Sequence, residues 1–226
     1  MEPAPGWVRP VDSTPVTRRQ SPDSGHLSRP IGDRPRPVGS TIVAPVVDED
    51  RRRWDERYAD TEPPSVGGVA PPGVFADYAE EFPTTGRALD LACGRGLGTV
   101  WLALRGLDVW GMDISPVAIG QARDLARRSG VGDRCRFDVL DLDGGLPAGP
   151  PVDVILCHKF RDRRLDHAII GRLAPGGLLA IAVLSEVGAA PGPFRAVAGE
   201  LPAAFAELDP VAAGEGQGCA WLLARV

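Results

Sequence analysis

The sequence predicts an α/β chain built on a doubly wound sheet, parallel until its last strand. Three observations predict it. From residue 87 onward, short apolar runs alternate strictly with stretches of helical spacing. The first such run passes directly into a glycine loop, Gly94-Arg95-Gly96-Leu97-Gly98, that opens a helix. The last two strands are joined by too few residues for a crossover, so the final strand must run antiparallel to its predecessor.

The elements follow in order. Residues 1–47 hold nine of the 23 prolines and no periodicity of either kind. Such a segment buries too little apolar surface to offset its ordering entropy, so a disordered tail is expected there, with the domain over 48–226. Residues 48–58 read as a short helix: acids stand at its start, bases later, and Trp54 and Tyr58 are i,i+4 neighbours. Residues 61–73 are a Pro/Gly-rich loop, and 74–82 a second short helix carrying Phe75, Tyr78 and Phe82. Strands are then predicted over 87–92, 107–112, 136–140, 152–157 and 177–184. Helices are predicted over 98–105, 116–128, 165–173 and 194–205, the last interrupted by Pro202. Residues 208–212 and 219–226 close the chain as a hairpin linked through 214–218.

Composition narrows the function. The 226 residues suffice for one ordinary α/β domain and an appendage. Net charge is −5 and the pI about 5.3, which argues against a non-specific nucleic-acid partner. No run approaches the ~18 apolar residues of a membrane span, and no basic-then-apolar block marks a secretory signal. A cytoplasmic location is expected. Of 25 basic residues only Lys159 is lysine. This bias looks like that of a high-GC genome, so arginine richness alone is weak evidence for a site. The four cysteines, 93, 135, 157 and 219, lack zinc spacing and read as small buried hydrophobes; no metal is expected.

The informative segment is Leu89-Asp90-Leu91-Ala92-Cys93-Gly94-Arg95-Gly96-Leu97-Gly98. Gly94 and Gly96 let the backbone approach a ligand and offer it N–H groups. The dinucleotide pattern is not met: the third glycine comes one residue early, and position 99 is Thr. An NAD-dependent oxidoreductase is therefore the weaker reading. The second strand ends at Asp113, placed to accept hydrogen bonds from a ribose, with Ser115 and Pro116 as a helix-start signal behind it.

Together, residues 89–98 and Gly111-Met112-Asp113-Ile114-Ser115-Pro116 resemble the class I S-adenosylmethionine-dependent methyltransferases. Arg53-Trp54-Asp55-Glu56-Arg57-Tyr58 is similar to the TehB-like and thiopurine-methyltransferase-like branch. The resemblance spans about residues 48–226. It implies a Rossmann-like seven-stranded sheet in the order 3-2-1-4-5-7-6, with helices on both faces and the last strand antiparallel. It also implies S-adenosylmethionine as cofactor. Asp90, Ala92, Gly94 and Gly96 would frame its methionine half, Asp113 the ribose, and Ile114 the adenine. Asp141 and Leu142 match the adenine contact, and Trp54 and Tyr58 close over the cofactor or simply pack. Many relatives have Gly where this loop has Ala92.

The fourth strand delivers His158-Lys159-Phe160-Arg161-Asp162-Arg163-Arg164 to the open end of the sheet. His158 is the candidate general base, with an ordinary pKa of about 6.5. Lys159 or Arg161 is the candidate contact for an anionic substrate group. The competing reading of the run is a solvated helix start paired with Asp162 and Asp166. His26 and His167 invite no role. The expected activity is methyl transfer to oxygen, sulfur or nitrogen of a small molecule, with acidic and phenolic acceptors as the candidates. The alternative is a protein that binds S-adenosylmethionine without turnover. Oligomeric state is left open.

Overall fold

The computed structural model describes residues 46–192 and 194–226. The expected tail falls outside them, except for the last two residues of 1–47. Helix α1 (Val46–Ala59) leads into two 3-10 turns, Val66–Gly68 and Gly73–Glu81. Then come β1 (Arg87–Leu91), α2 (Leu97–Arg105), β2 (Asp108–Asp113), α3 (Pro116–Arg128) and β3 (Cys135–Val139). β4 (Val152–His158), α4 (Asp166–Arg172), β5 (Leu173–Leu184), α5 (Glu200–Ala204), β6 (Asp209–Gly216) and β7 (Cys219–Arg225) complete the chain.

The seven strands form one sheet in the order β3-β2-β1-β4-β5-β7-β6. All pairs from β3 to β5 are parallel, and β7 is antiparallel to both its neighbours. The predicted order and hairpin are therefore both present. Central strands are apolar on both faces because both are covered, as a parallel sheet requires. Ala88, Val109, Val154, Leu156, Leu178 and Ala180 pack on one face against Trp101 and Leu102 of α2 and against Phe75 and Phe82. Leu89, Leu91, Ile155, Leu179 and Ile181, of opposite parity, are fully buried on the other. Right-handed crossovers put α2 and α3 on the first face and α4 and α5 on the second. The order reverses between β1 and β4, so a crevice opens beyond their C-terminal ends.

Four elements depart from expectation; the simplest is β5, which begins at Leu173 where the strand was predicted from 177. The stretch predicted as a helix over 74–82 is a 3-10 segment interrupted at Tyr78. Its aromatic residues dock as separate wedges: Phe75 meets Phe82 and Trp221 edge-on, and Phe82 meets Trp101. The helix predicted over 194–205 shrinks to five residues. Phe194 and Gly199 both have positive φ, +68° and +71°, and Ala196 bridges to Ser185 instead. Pro202 does not interrupt α5; it stands third in it, where its missing N–H has no helical partner to lose. β6 extends through Gly216, so the hairpin turn is only Gln217-Gly218. Both residues have positive φ, +52° and +77°, as a tight primed turn requires.

Candidate functional site

The glycine loop sits at the mouth of this crevice. Gly96 caps α2 with φ +81°, and a Cβ there would stand 2.7 Å from the Ala122 Cβ of α3. Both backbone and space demand glycine. Gly94 also has positive φ, +53°. Ala92 does too, at +51°, so it holds a backbone conformation that favours glycine. Gly98 packs α2 on the sheet: a Cβ there would lie 2.6 Å from Leu156 Cδ2.

Two buried acids face the loop. Asp113 ends β2 with 5% exposure. Its Oδ2 accepts from Gly94 N–H at 2.8 Å and its Oδ1 from Ser115 N–H at 2.9 Å. Burial raises its pKa against these two bonds. A carboxylate has about four acceptor positions, so capacity remains beside these backbone donors for a ribose hydroxyl. Asp90 is 3% exposed and accepts from Thr99 Oγ1 at 2.6 Å on Oδ2, with the Thr99 backbone adding to the same support. Burial first, then the nearby Asp113, lifts Asp90 to about 7. An ammonium group beside it would favour its charged form. Thr99, which breaks the dinucleotide pattern, is thus the partner of Asp90.

On the rim, Asp141 caps a 3-10 turn by accepting from Asp143 N–H at 2.9 Å, and Leu142 is buried. Ile114 is half-buried beside Asp113. Trp54 and Tyr58 stack 5.7 Å apart on α1. Tyr58 reaches the loop: a Cβ on Gly94 would be 3.0 Å from its Oη. Its pKa rises through burial and through the charge of Asp113. The sequence-expected cofactor residues therefore gather at one end of β1 and β2, with α1 laid against them. A carboxylate at the end of β2, a second buried carboxylate behind the loop and a glycine-lined backbone fit the ribose and methionine ends of S-adenosylmethionine.

The run after β4 divides. His158 pairs with Ala182 at the strand end, on the α2 face. Burial and then the Lys159 charge push it down to about 4, not the ordinary value expected from sequence. It is neutral at pH 7 and a weaker base than free imidazole. Lys159 is exposed with φ +63°, its backbone N–H on Ala182 O at 2.7 Å. Its charge is felt by Cys219, which lies opposite Leu184. Arg161 is put to another use. Its side chain is 2% exposed, with Nη1 and Nη2 on Asp166 and Nε on Glu200. An anion contact through Arg161 is thus replaced by an internal tie, because its fork is filled. Arg164 pairs with Asp162, so the competing reading of the run describes these two arginines. Sequence reasoning missed Thr99, Glu200 and Asp55. Asp55 was visible inside the quoted motif, but nothing in spacing says which group it meets.

Comparison with known proteins agrees with this geometry. Residues 88–177 match the family model described as a methyltransferase domain. The ribosomal protein L11 methyltransferase of Pseudomonas aeruginosa is 31% identical over 192 residues, covering 74% of this chain and 60% of that protein. The ribosomal RNA small subunit methyltransferase C of Alcanivorax borkumensis is 32% identical over 104 residues, 42% of this chain and 31% of that one. The chain spans about a third to three fifths of the length of such curated relatives. Among solved structures, TehB from Haemophilus influenzae superposes with a TM-score of 0.61 at 19% identity, over 77% of this chain and 66% of that one. A structure described as the conversion of a disulfide bond into a thioacetal group during echinomycin biosynthesis gives 0.57 at 25% identity, over 77% and 92%. The sheet order, the glycine loop with its two acids and the matched family model together give this chain a methyltransferase domain over residues 88–177, on a Rossmann-like fold that it shares with TehB, and S-adenosylmethionine is the cofactor that domain uses.

Proposed function

We propose that the protein methylates a small-molecule acceptor, on oxygen, sulfur or nitrogen, that carries an anionic or phenolic group. The observation that carries the proposal is the chemistry at the ends of β4 and β5. Lys159, the sole lysine, stands exposed beside neutral His158. Leu184, Phe194 and Val197 present apolar surface on the same end, at 39%, 64% and 50% exposure. A cation next to exposed apolar side chains suits an amphipathic acceptor.

S-adenosylmethionine supplies an electrophilic methyl carbon on a positive sulfur when bound. The chain's own task is then alignment and exclusion of water, which provides most of the rate in such a displacement. Asp113 holds the ribose diol, and Asp90 the ammonium. Lys159 holds the acceptor's anionic group. Burial is the larger cause of the low basicity of His158 and the Lys159 charge the smaller; the acceptor's anion offsets the smaller one. His158 then takes the acceptor's proton.

Support for a small acceptor also comes from the acidic pI of about 5.3 and from α1, whose four arginines are outnumbered by five acids. The relatives named for a ribosomal protein and ribosomal RNA favour a second reading, a ribosomal acceptor. One experiment separates the two. Calorimetry with S-adenosylhomocysteine tests the cofactor site, and Asp113→Ala is expected to weaken that binding by about a hundredfold. Labelled S-adenosylmethionine is then offered with phenols, thiols and carboxylic acids in one series, and with ribosomal protein and RNA in another. Label passing only to the ribosomal series overturns the small-molecule reading. Undiminished turnover in His158→Ala removes the base role.

A further inference from the structure

Helix α1 reaches the glycine loop through Tyr58, yet little apolar burial holds it. None of its described side chains is buried; Trp54, Asp55 and Tyr58 are half-buried, and most of the others are exposed. A helix of 14 residues is marginal by itself, so its place depends on specific ties. One carboxylate supplies most of them. Asp55 Oδ1 accepts from Ser115 Oγ and from Val117 N–H at 3.5 Å. Ser115 is the cap of α3, its Oγ also accepting from Ala118 N–H at 3.1 Å. Asp55 therefore binds where unpaired helix N–H groups gather positive charge. Ser115 in turn donates its N–H to Asp113. A second tie runs from Gln121 Nε2 to Tyr58 O at 3.1 Å. Tyr58 stands over Gly94, and Trp54 stacks on Tyr58.

We propose that Asp55 is a positioning residue: it latches α1 to the start of α3, holds Trp54 and Tyr58 over the glycine loop, and so sets how long the cofactor stays bound. The proposal rests on reading this loop as the cofactor site. The carboxylate touches no reacting atom. It acts through Ser115, which joins α1 to the same turn that carries Asp113. The acid inside the Trp-Asp-Glu-Arg-Tyr motif thereby has a task distinct from that of the two aromatics.

The full chain is compared with Asp55→Ala, Asp55→Asn and Glu56→Gln. Glu56 is exposed on the same helix and controls for charge. Two quantities are read: amide hydrogen exchange over residues 50–59 without ligand, and the dissociation rate of S-adenosylhomocysteine. In Asp55→Ala, exchange of α1 and dissociation should each rise about tenfold, the loss expected for a hydrogen bond to a charged group. Exchange in the central strands should stay unchanged. Asp55→Asn, whose amide oxygen still accepts, should fall between, and Glu56→Gln should match the wild type. Unchanged exchange of α1 in Asp55→Ala overturns the latch. Loosened α1 with unchanged dissociation overturns its link to the cofactor. A wild type that does not bind S-adenosylhomocysteine overturns the cofactor reading itself, while the ligand-free exchange still decides the latch.

Discussion

Ala92 carries a methyl group in a conformation that disfavours one. At φ +51° it sits in the left-handed region, where an L side chain costs about 1–2 kcal/mol. Glycine removes that cost but loses more backbone entropy on folding. Ala92→Gly is therefore expected to stabilise the protein by about 0.5–1 kcal/mol, a rise in Tm of about 2 °C. A lower Tm would show that the methyl makes compensating contacts. Asp90 offers a test with a pH sign. Its folded pKa, about 7, is raised from 3.8 by burial, so the folded state holds a proton that the unfolded state releases. Its contribution to stability is full below pH 3.8 and is lost as pH climbs through 7. Urea midpoints of wild type and Asp90→Asn should thus diverge between pH 4 and 8, with the variant gaining on the wild type as pH rises. Parallel curves would contradict the shift. His158 behaves oppositely, because its folded value near 4 lies below the ordinary one. Its contribution is present above about 6.5 and lost as pH falls through 4.

The elements are joined by charge as well as by core. Arg161, after β4, reaches Asp166 at the start of α4 and Glu200 at the start of α5. Arg163 adds a second bond to Glu200, and Glu200 also accepts from Val197 N–H. The two loops that flank Lys159 are thereby locked to one another. Arg161→Met leaves two carboxylates without their shared partner and should cost about 3–5 kcal/mol, read as a lower urea midpoint at unchanged m. Arg161→Lys should not restore it, because an ammonium lacks the planar fork that serves Asp166 with two nitrogens. A neutral Arg161→Met would mean that the loops are held by apolar packing alone. At this scale the sequence was legible wherever periodicity was strong. β1, β2, β4 and α3 lie within a residue or two of expectation. The failures, 74–82 and 194–205, are short segments whose shape is set by what they dock against. The positive φ values of Phe194 and Gly199 break a run whose helical spacing looked continuous.

For the whole molecule, the described residues belong to one unit, 43–226, and α1 begins at Val46. Removing residues 1–45 is expected to leave the Tm within about 1 °C and binding of S-adenosylhomocysteine unchanged, as measured by calorimetry on both proteins. A large loss of either would assign the segment a structural or binding role. No helix among the described residues is long and apolar enough to cross a membrane.

The sequence by itself determined the sheet, its glycine loop and the acid that follows β2. These are local facts: a strand running into Gly94 and Gly96, and an acid one strand-helix-strand unit later, hold whatever surrounds them. Only the tertiary structure decided what the polar residues do. Arg161 was a candidate for substrate until Glu200, 39 residues away, filled its fork. His158 had an ordinary basicity until burial beside Lys159 removed it. Asp55 was an anonymous helix acid until Ser115, 60 residues away, met it. The physical reason is range. Backbone preference and hydrophobic period act over a few residues and leave a mark in the chain. A carboxylate's partner and an imidazole's solvation are set by contacts between distant segments, and no pattern in the chain records them.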